Sequence, residues 1–112
     1  MTPVDTALLV KALDGLHQRF LFTAQNIANA NTPDYRPARV SFEDALRAAS
    51  TRDPESIAAI EPQVTIDGEE AGPMRLDLEI ATAGQTAARY RALMDILSRH
   101  LTLHRIAVSG RG

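Results

Sequence analysis

The chain has no cysteine and no tryptophan, and only three phenylalanines and two tyrosines in 112 residues. Without cysteine there is no disulfide, no thiolate nucleophile and no thiolate metal site, and the absence fits any compartment. Large aromatics supply much of the bulk of a thick interior. Here the hydrophobic fraction of 45% is carried mostly by Ala, Leu, Ile and Val, which suits helix seams better. An excess of positive charge is also missing. The net charge is −2 and the isoelectric point near 5.9, so nothing marks a nucleic-acid binder. No apolar run approaches the roughly 20 residues of a membrane span. Met1–Asp5 shows neither a basic n-region nor a cleavage site, so any export is expected to use a route that does not read such a signal. There is no Gly-rich phosphate loop and no G-x-S-x-G, and no catalytic residue, cofactor or small-molecule substrate is expected. The length suits a single domain, 1–112.

What is present is helical periodicity at both ends. From Asp5 to Asn29, apolar residues recur at Leu9, Leu13, Leu16, Phe20, Ala24 and Ile27, in steps of three and four that place them on one stripe. Leu8, Ala12, Leu21 and Ala28 widen it. Thr2 or Asp5 can cap the start, and Pro3 is tolerated in a first turn. Gly15 lowers helix propensity by about 1 kcal/mol relative to Ala and suits either a tolerated interruption or a close approach. The N-terminal segment is 1–31 with its stop signal, and its helix from Asp5 to Asn29 is roughly 38 Å long. The C-terminal helix, 77–112, carries Ala83, Ala87, Tyr90, Met94, Leu97, Leu101, His104 and Val108, a heptad seam sustained over more than three repeats. Leu93, Ile96, His100 and Leu103 broaden it. Its surface is basic, with Arg89, Arg91, Arg99, Arg105 and Arg111 against Asp95, and Gly110 and Gly112 close it. The expected fold is mainly α: two long terminal helices paired as an antiparallel coiled-coil hairpin, with a loop-rich middle.

That middle, 32–76, reads as a turn, an extended connection Arg36–Ser41, and a short helix through Ala49 opened by a capping box of Ser41 and Asp44. Beyond Ser50 come Pro54, Pro62, Gly68, Gly72 and Pro73 among many carboxylates, the composition of a flexible or partner-ordered loop. Val64–Ile66 can also pair with Met74–Leu78 across Asp67-Gly68 as a small β-hairpin.

Few residues bear chemistry. His100 and His104 form H-x-x-x-H on one helix face, a spacing that can hold a metal. Leu101 stands where a metalloprotease has Glu, His17 lies in the other helix, and no further ligand is placed by spacing; structural or solvated histidines are the expectation, with no metal site. The arginines of the last helix suit a solvated face better than a binding strip.

The stretch Gln25–Arg36 is the informative one. Asn26, Asn29 and Asn31 terminate helices well, and Pro33 in Thr32-Pro33-Asp34 suits the second position of a type I turn. Asn residues on a packing stripe also fix register between helices. The sequence Ala24-Gln25-Asn26-Ile27-Ala28-Asn29-Ala30-Asn31-Thr32-Pro33-Asp34-Tyr35-Arg36 closely resembles the N-terminal signature of the bacterial flagellar rod and hook family, approximately A-x-N-[IL]-A-N-A-x-T-P-G-Y-[KR]. The chain is most similar to the short proximal-rod members. Ala38-Arg39-Val40-Ser41-Phe42 resembles their A-R-x-x-F, and Leu76-Asp77-Leu78-Glu79 precedes the last helix as it does there. The ending from Tyr90 to Arg111 is similar to theirs as well. Asp34 departs from the family Gly; if that position has φ > 0, Asp is among the better replacements. Gly84 departs too, where the family carries helix formers.

The resemblance implies a non-enzymatic structural subunit, exported by the flagellar type III apparatus without a cleaved signal and assembled into the periplasmic rod of the basal body. Its partners would be other copies of itself, the rod proteins FlgC, FlgF and FlgG, the junction protein FliE and the MS ring, with no nucleic acid. The assembly residues would be Asn26, Ile27, Asn29, Asn31, Thr32, Pro33, Tyr35 and Arg36. The seam would comprise Leu9, Leu13, Leu16, Phe20, Ile27, Tyr90, Met94, Leu97, Leu101 and Val108. A soluble coiled-coil adaptor or export chaperone would also present paired helices, without needing the Asn-Thr-Pro-Asp-Tyr turn.

Overall fold

A computed structural model describes residues 1–110; the expected places of Arg111 on the basic surface and of Gly112 at the helix end lie outside the described residues. Helix α1 spans Pro3–Ala28. Thr2 caps it: its hydroxyl accepts from the Asp5 amide while the Asp5 carboxylate accepts from the Thr2 amide, both at 3.0 Å, so two orphan donors are satisfied reciprocally. The helix stops at Asn29, whose amide still bonds back to Gln25 and Asn26. Helix α4, Leu76–Ser109, returns antiparallel and packs along α1.

Between them lie strand β1 (Ala38–Ser41), helix α2 (Glu43–Ala49), helix α3 (Pro54–Ala58), strand β2 (Gln63–Ile66), and a single 3-10 turn, Glu69–Ala71. β1 and β2 pair antiparallel, Ala38 opposite Ile66 and Ser41 opposite Gln63. The expected hairpin of Val64–Ile66 with Met74–Leu78 does not form. β1 offers a better partner: its Ala38 and Val40 are buried, and the Asp67 amide extends the pairing to the Pro37 carbonyl at 2.9 Å. Leu76–Leu78 instead opens α4, because helical spacing, and not alternation, turns Glu79 inward.

Three further expectations are corrected. Ser41 does not cap α2; it is held in β1, and Phe42 occupies the cap position without a side-chain bond. The acidic middle is loop-rich as expected, but it holds a short helix that its composition did not suggest. Asp53 caps α3 by accepting from the Ser56 amide at 3.3 Å, Pro54 sits in its first turn, and Ile57 is fully buried. The helix seams follow the expected residues at Leu9, Leu13, Leu16, Tyr90 and Leu97 and depart from them elsewhere. On α1 the buried stripe runs Leu9, Leu13, Leu16, Thr23 and Asn26, leaving Phe20 and Leu21 exposed and Ile27 half-buried. On α4 only Glu79 and Thr86 are buried, and the stripe continues through the half-buried Tyr90, Leu93, Leu97 and His100, with Met94, Leu101 and Val108 exposed. Reading the seam by apolar residues alone misplaces it wherever the inward position is polar.

The core lies where the middle segment meets the helix pair, in a cluster of Leu16, Val40, Phe42, Leu46, Ala49 and Ile57. Gly15 is required there. A Cβ on it would fall inside contact distance of three Phe42 ring carbons, so the close approach is to an aromatic ring and not to the partner helix. The molecule is elongated, 62 × 25 × 14 Å, with a radius of gyration of 17.5 Å, against about 13 Å for a compact domain of this length.

Candidate functional site

The residue that joins the elements is Asn26. Its side chain is fully buried in α1, and its carboxamide takes the place of a neighbouring strand at the outer edge of β1. Oδ1 accepts from the Ala38 amide at 2.9 Å, and Nδ2 donates to the Ala38 carbonyl at 2.9 Å. Oδ1 also accepts from the Tyr35 hydroxyl at 3.0 Å, and Nδ2 donates to Glu79 Oε2 at 3.3 Å. A carboxamide has two donors and two acceptor positions, and all four are used. Asn26 is therefore not a helix terminator, as first expected, but a buried connector.

Glu79 carries the network into α4. Its carboxylate is 2% exposed, and its Oε1 lies 2.6 Å from the Arg39 guanidinium. Arg39 bonds Asp67 on its other side, at 3.0 Å. Burying a carboxylate is costly unless it is paired and hydrogen-bonded, and Asn26 with Arg39 meets that requirement. Thus α1, β1, α4 and the end of β2 meet through five side chains: Asn26, Tyr35, Arg39, Asp67 and Glu79.

A second polar clamp lies two residues further along β1, at Val40. Arg19 donates to the Val40 carbonyl at 2.7 and 3.2 Å and to both Glu43 oxygens at 2.6 Å. Its guanidinium also lies 4.8 Å from the Phe42 ring centre. Such a bidentate fork is geometrically selective. Hydrogen bonds from Arg19 hold the Glu43 carboxyl down at about 2.

The turn after α1 is self-supporting. Asn29 Nδ2 donates to the Gln25 carbonyl at 2.9 Å, the Thr32 hydroxyl to Asn29 Oδ1 at 3.0 Å, and the Tyr35 amide to the Thr32 carbonyl at 3.2 Å. Asp34 has φ of 61°, the left-handed conformation that its glycine-like position anticipates. Asn31 and Pro33 are exposed and join no network; Asn31 does not sit on a packing stripe. Arg36 is exposed and pairs with Glu69 at 3.1 Å.

Of the signature residues, the fold brings Asn26 and Tyr35 together, and uses Asn29 and Thr32 to shape the turn. Sequence reasoning did not single out Arg19, Arg39, Asp67 or Glu79 as network members. The available signal for two of them was position: Arg39 and Glu79 both lie in segments that carry the family resemblance.

His100 and His104 line an apolar groove with Met1, Pro3 and Val10. Among the described residues, no three or more His, Asp or Glu gather as a metal-ligand set, and no helix is long and apolar enough to cross a membrane. His17 lies against Tyr90 with ring centres 6.2 Å apart. Compared with models of known protein families and with curated proteins, the chain gives no match.

Proposed function

We propose that the chain is a structural subunit of the bacterial flagellar rod, of the short proximal type represented by FlgB. One observation carries the reading. The resemblance lies in Ala24–Arg36, Ala38–Phe42, Leu76–Glu79 and the ending from Tyr90, and Asn26, Tyr35, Ala38, Arg39 and Glu79 from the first three converge on one network around the buried Asn26 and Glu79. A chance likeness in separate segments has no reason to meet in space.

The geometry suits a load-bearing part. A shaft subunit must keep a fixed angle between its long helices and its outer segment. The Asn26 network and the Arg19 clamp tie β1 and α2 to the helix pair at two separated points, which removes the hinge that a single tether would leave. Apolar side chains off the buried seam, including Phe20, Leu21, Leu78, Ile80 and Ile96, are exposed. In the proposed setting they face neighbouring copies, FlgC, FlgF and FlgG, or FliE and the MS ring, after export through the type III apparatus.

The test is a deletion strain assayed for motility and for basal bodies. Loss of swimming together with loss of the rod from isolated basal bodies, restored by the full chain but not by a chain lacking residues 1–30, is the expected result. Motile cells with complete rods would refute the proposal. Recovery of the protein only in the cytoplasm, bound to an exported subunit, would point to an adaptor or chaperone instead.

A further inference from the structure

One end of the molecule carries both a hydrophobic projection and a place to put one. From Leu101 to Ser109, α4 is exposed on every side, and Leu101, Leu103, Ile106 and Val108 are 50–66% exposed. Beside this projection, an apolar groove of about 740 Å³ runs between the start of α1, α3 and α4, with Ala7, Val10 and Ala58 among its walls. His104 stands at the junction: it lines the groove and also a hollow on the projection shared with Leu101 and Val108. Glu55 lines the groove and Arg105 the projection, and neither has an ion-pair partner among the described residues.

The elongated outline leaves more surface than a compact chain of this mass would, enough to supply an interface. The accessible area is 7670 Å², whereas a compact monomer of this mass exposes about 6,100 Å². The excess is larger than the roughly 800 Å² that each partner contributes to a standard interface.

We propose that the groove is filled by the α4 projection of a second copy, in a two-fold pair in which each chain gives its projection and receives the other's. The juxtaposition of donor and acceptor selects this symmetry. In a head-to-tail chain, two different neighbours would crowd together at His104; one two-fold partner fills both places at once. The pairing also brings Arg105 of one copy towards the groove that holds the partner's Glu55. Such a pair is closed and does not propagate. It goes beyond the rod reading and does not depend on it; in a rod subunit, the pair would be a stored form that opens before joining the shaft.

Sedimentation equilibrium over micromolar to submillimolar concentrations tests the proposal. The full chain is expected to reach twice its monomer mass of 12.2 kDa. The double variant Leu103→Glu/Ile106→Glu should stay at 12.2 kDa with an unchanged circular dichroism spectrum, since both side chains are exposed. A wild-type chain that remains monomeric throughout, or a double variant that still pairs, overturns the proposal. Because the chain has no cysteine, Val10→Cys/Val108→Cys reports the geometry. Oxidation should give a covalent dimer and nothing larger, whereas a ladder of oligomers, or no cross-link, refutes the two-fold pair. Neither readout depends on whether the protein belongs to a flagellum.

Discussion

Asn26 and Gly15 show how much of this fold rests on single side chains. Replacing Asn26 with Ala strands the buried Ala38 amide and carbonyl and removes one partner of Glu79, so a loss of about 3 kcal/mol is expected in urea unfolding. Asn26→Asp keeps an acceptor for the Ala38 amide but sets a carboxylate against the Ala38 carbonyl and Glu79. At neutral pH it should destabilise more than Asn26→Ala, and the excess should shrink in acid. The glycines make an opposed pair. Gly15→Ala improves helix propensity yet drives a methyl group into the Phe42 ring, and overpacking of this kind costs about 1–3 kcal/mol. Gly84→Ala meets open space and should stabilise α4 by about 1 kcal/mol. Thermal melts of the two variants should move in opposite directions. If Gly15→Ala melts higher than wild type, the packing argument for that residue is wrong.

At the level of elements, the two long helices were legible because a periodic stripe and end signals agree in both. Their mutual register was not. Thr23, Asn26, Glu79 and Thr86 are polar yet buried, and a search for apolar positions steps around them onto Phe20, Ile27 and Met94. The strand pairing was also hidden. Asp67-Gly68 points forward to a local hairpin, whereas β2 folds back past two helices to Ala38–Ser41, and only the buried face of β1 and the Arg39–Asp67 pair explain that choice. α3 had a readable start in Asp53-Pro54-Glu55-Ser56, outweighed by the loop-like composition around it. The Arg19–Glu43 clamp between α1 and α2 makes stability depend on pH. Glu43 titrates at about 2 when folded, against an ordinary 4.5, so between those values the folded chain binds fewer protons than the unfolded one. Its stabilisation is complete above about pH 4.5 and is lost as the pH falls towards 2. The Glu43 side chain is 43% exposed, so solvent screens the pair and the contribution is modest. Glu43→Gln should flatten that part of the stability profile and leave the profile above pH 5 parallel to wild type, as read from urea midpoints.

For the whole molecule, protection should follow burial. Amide exchange is expected to be slow in the parts of α1 and α4 that pack together and fast in Leu101–Ser109, whose side chains are all exposed. If the two-fold pair forms, that last stretch should become slower to exchange as concentration rises, while the Asn26 region stays unchanged. The same extended outline governs how the protein behaves on a sizing column. A radius of gyration of 17.5 Å belongs to a compact globule of about 230 residues, twice the length of this chain. A lone monomer will therefore elute near the position of a globular dimer, and elution volume will suggest pairing whether or not two chains have met. Mass must be measured directly, by sedimentation or light scattering, before any copy number is assigned.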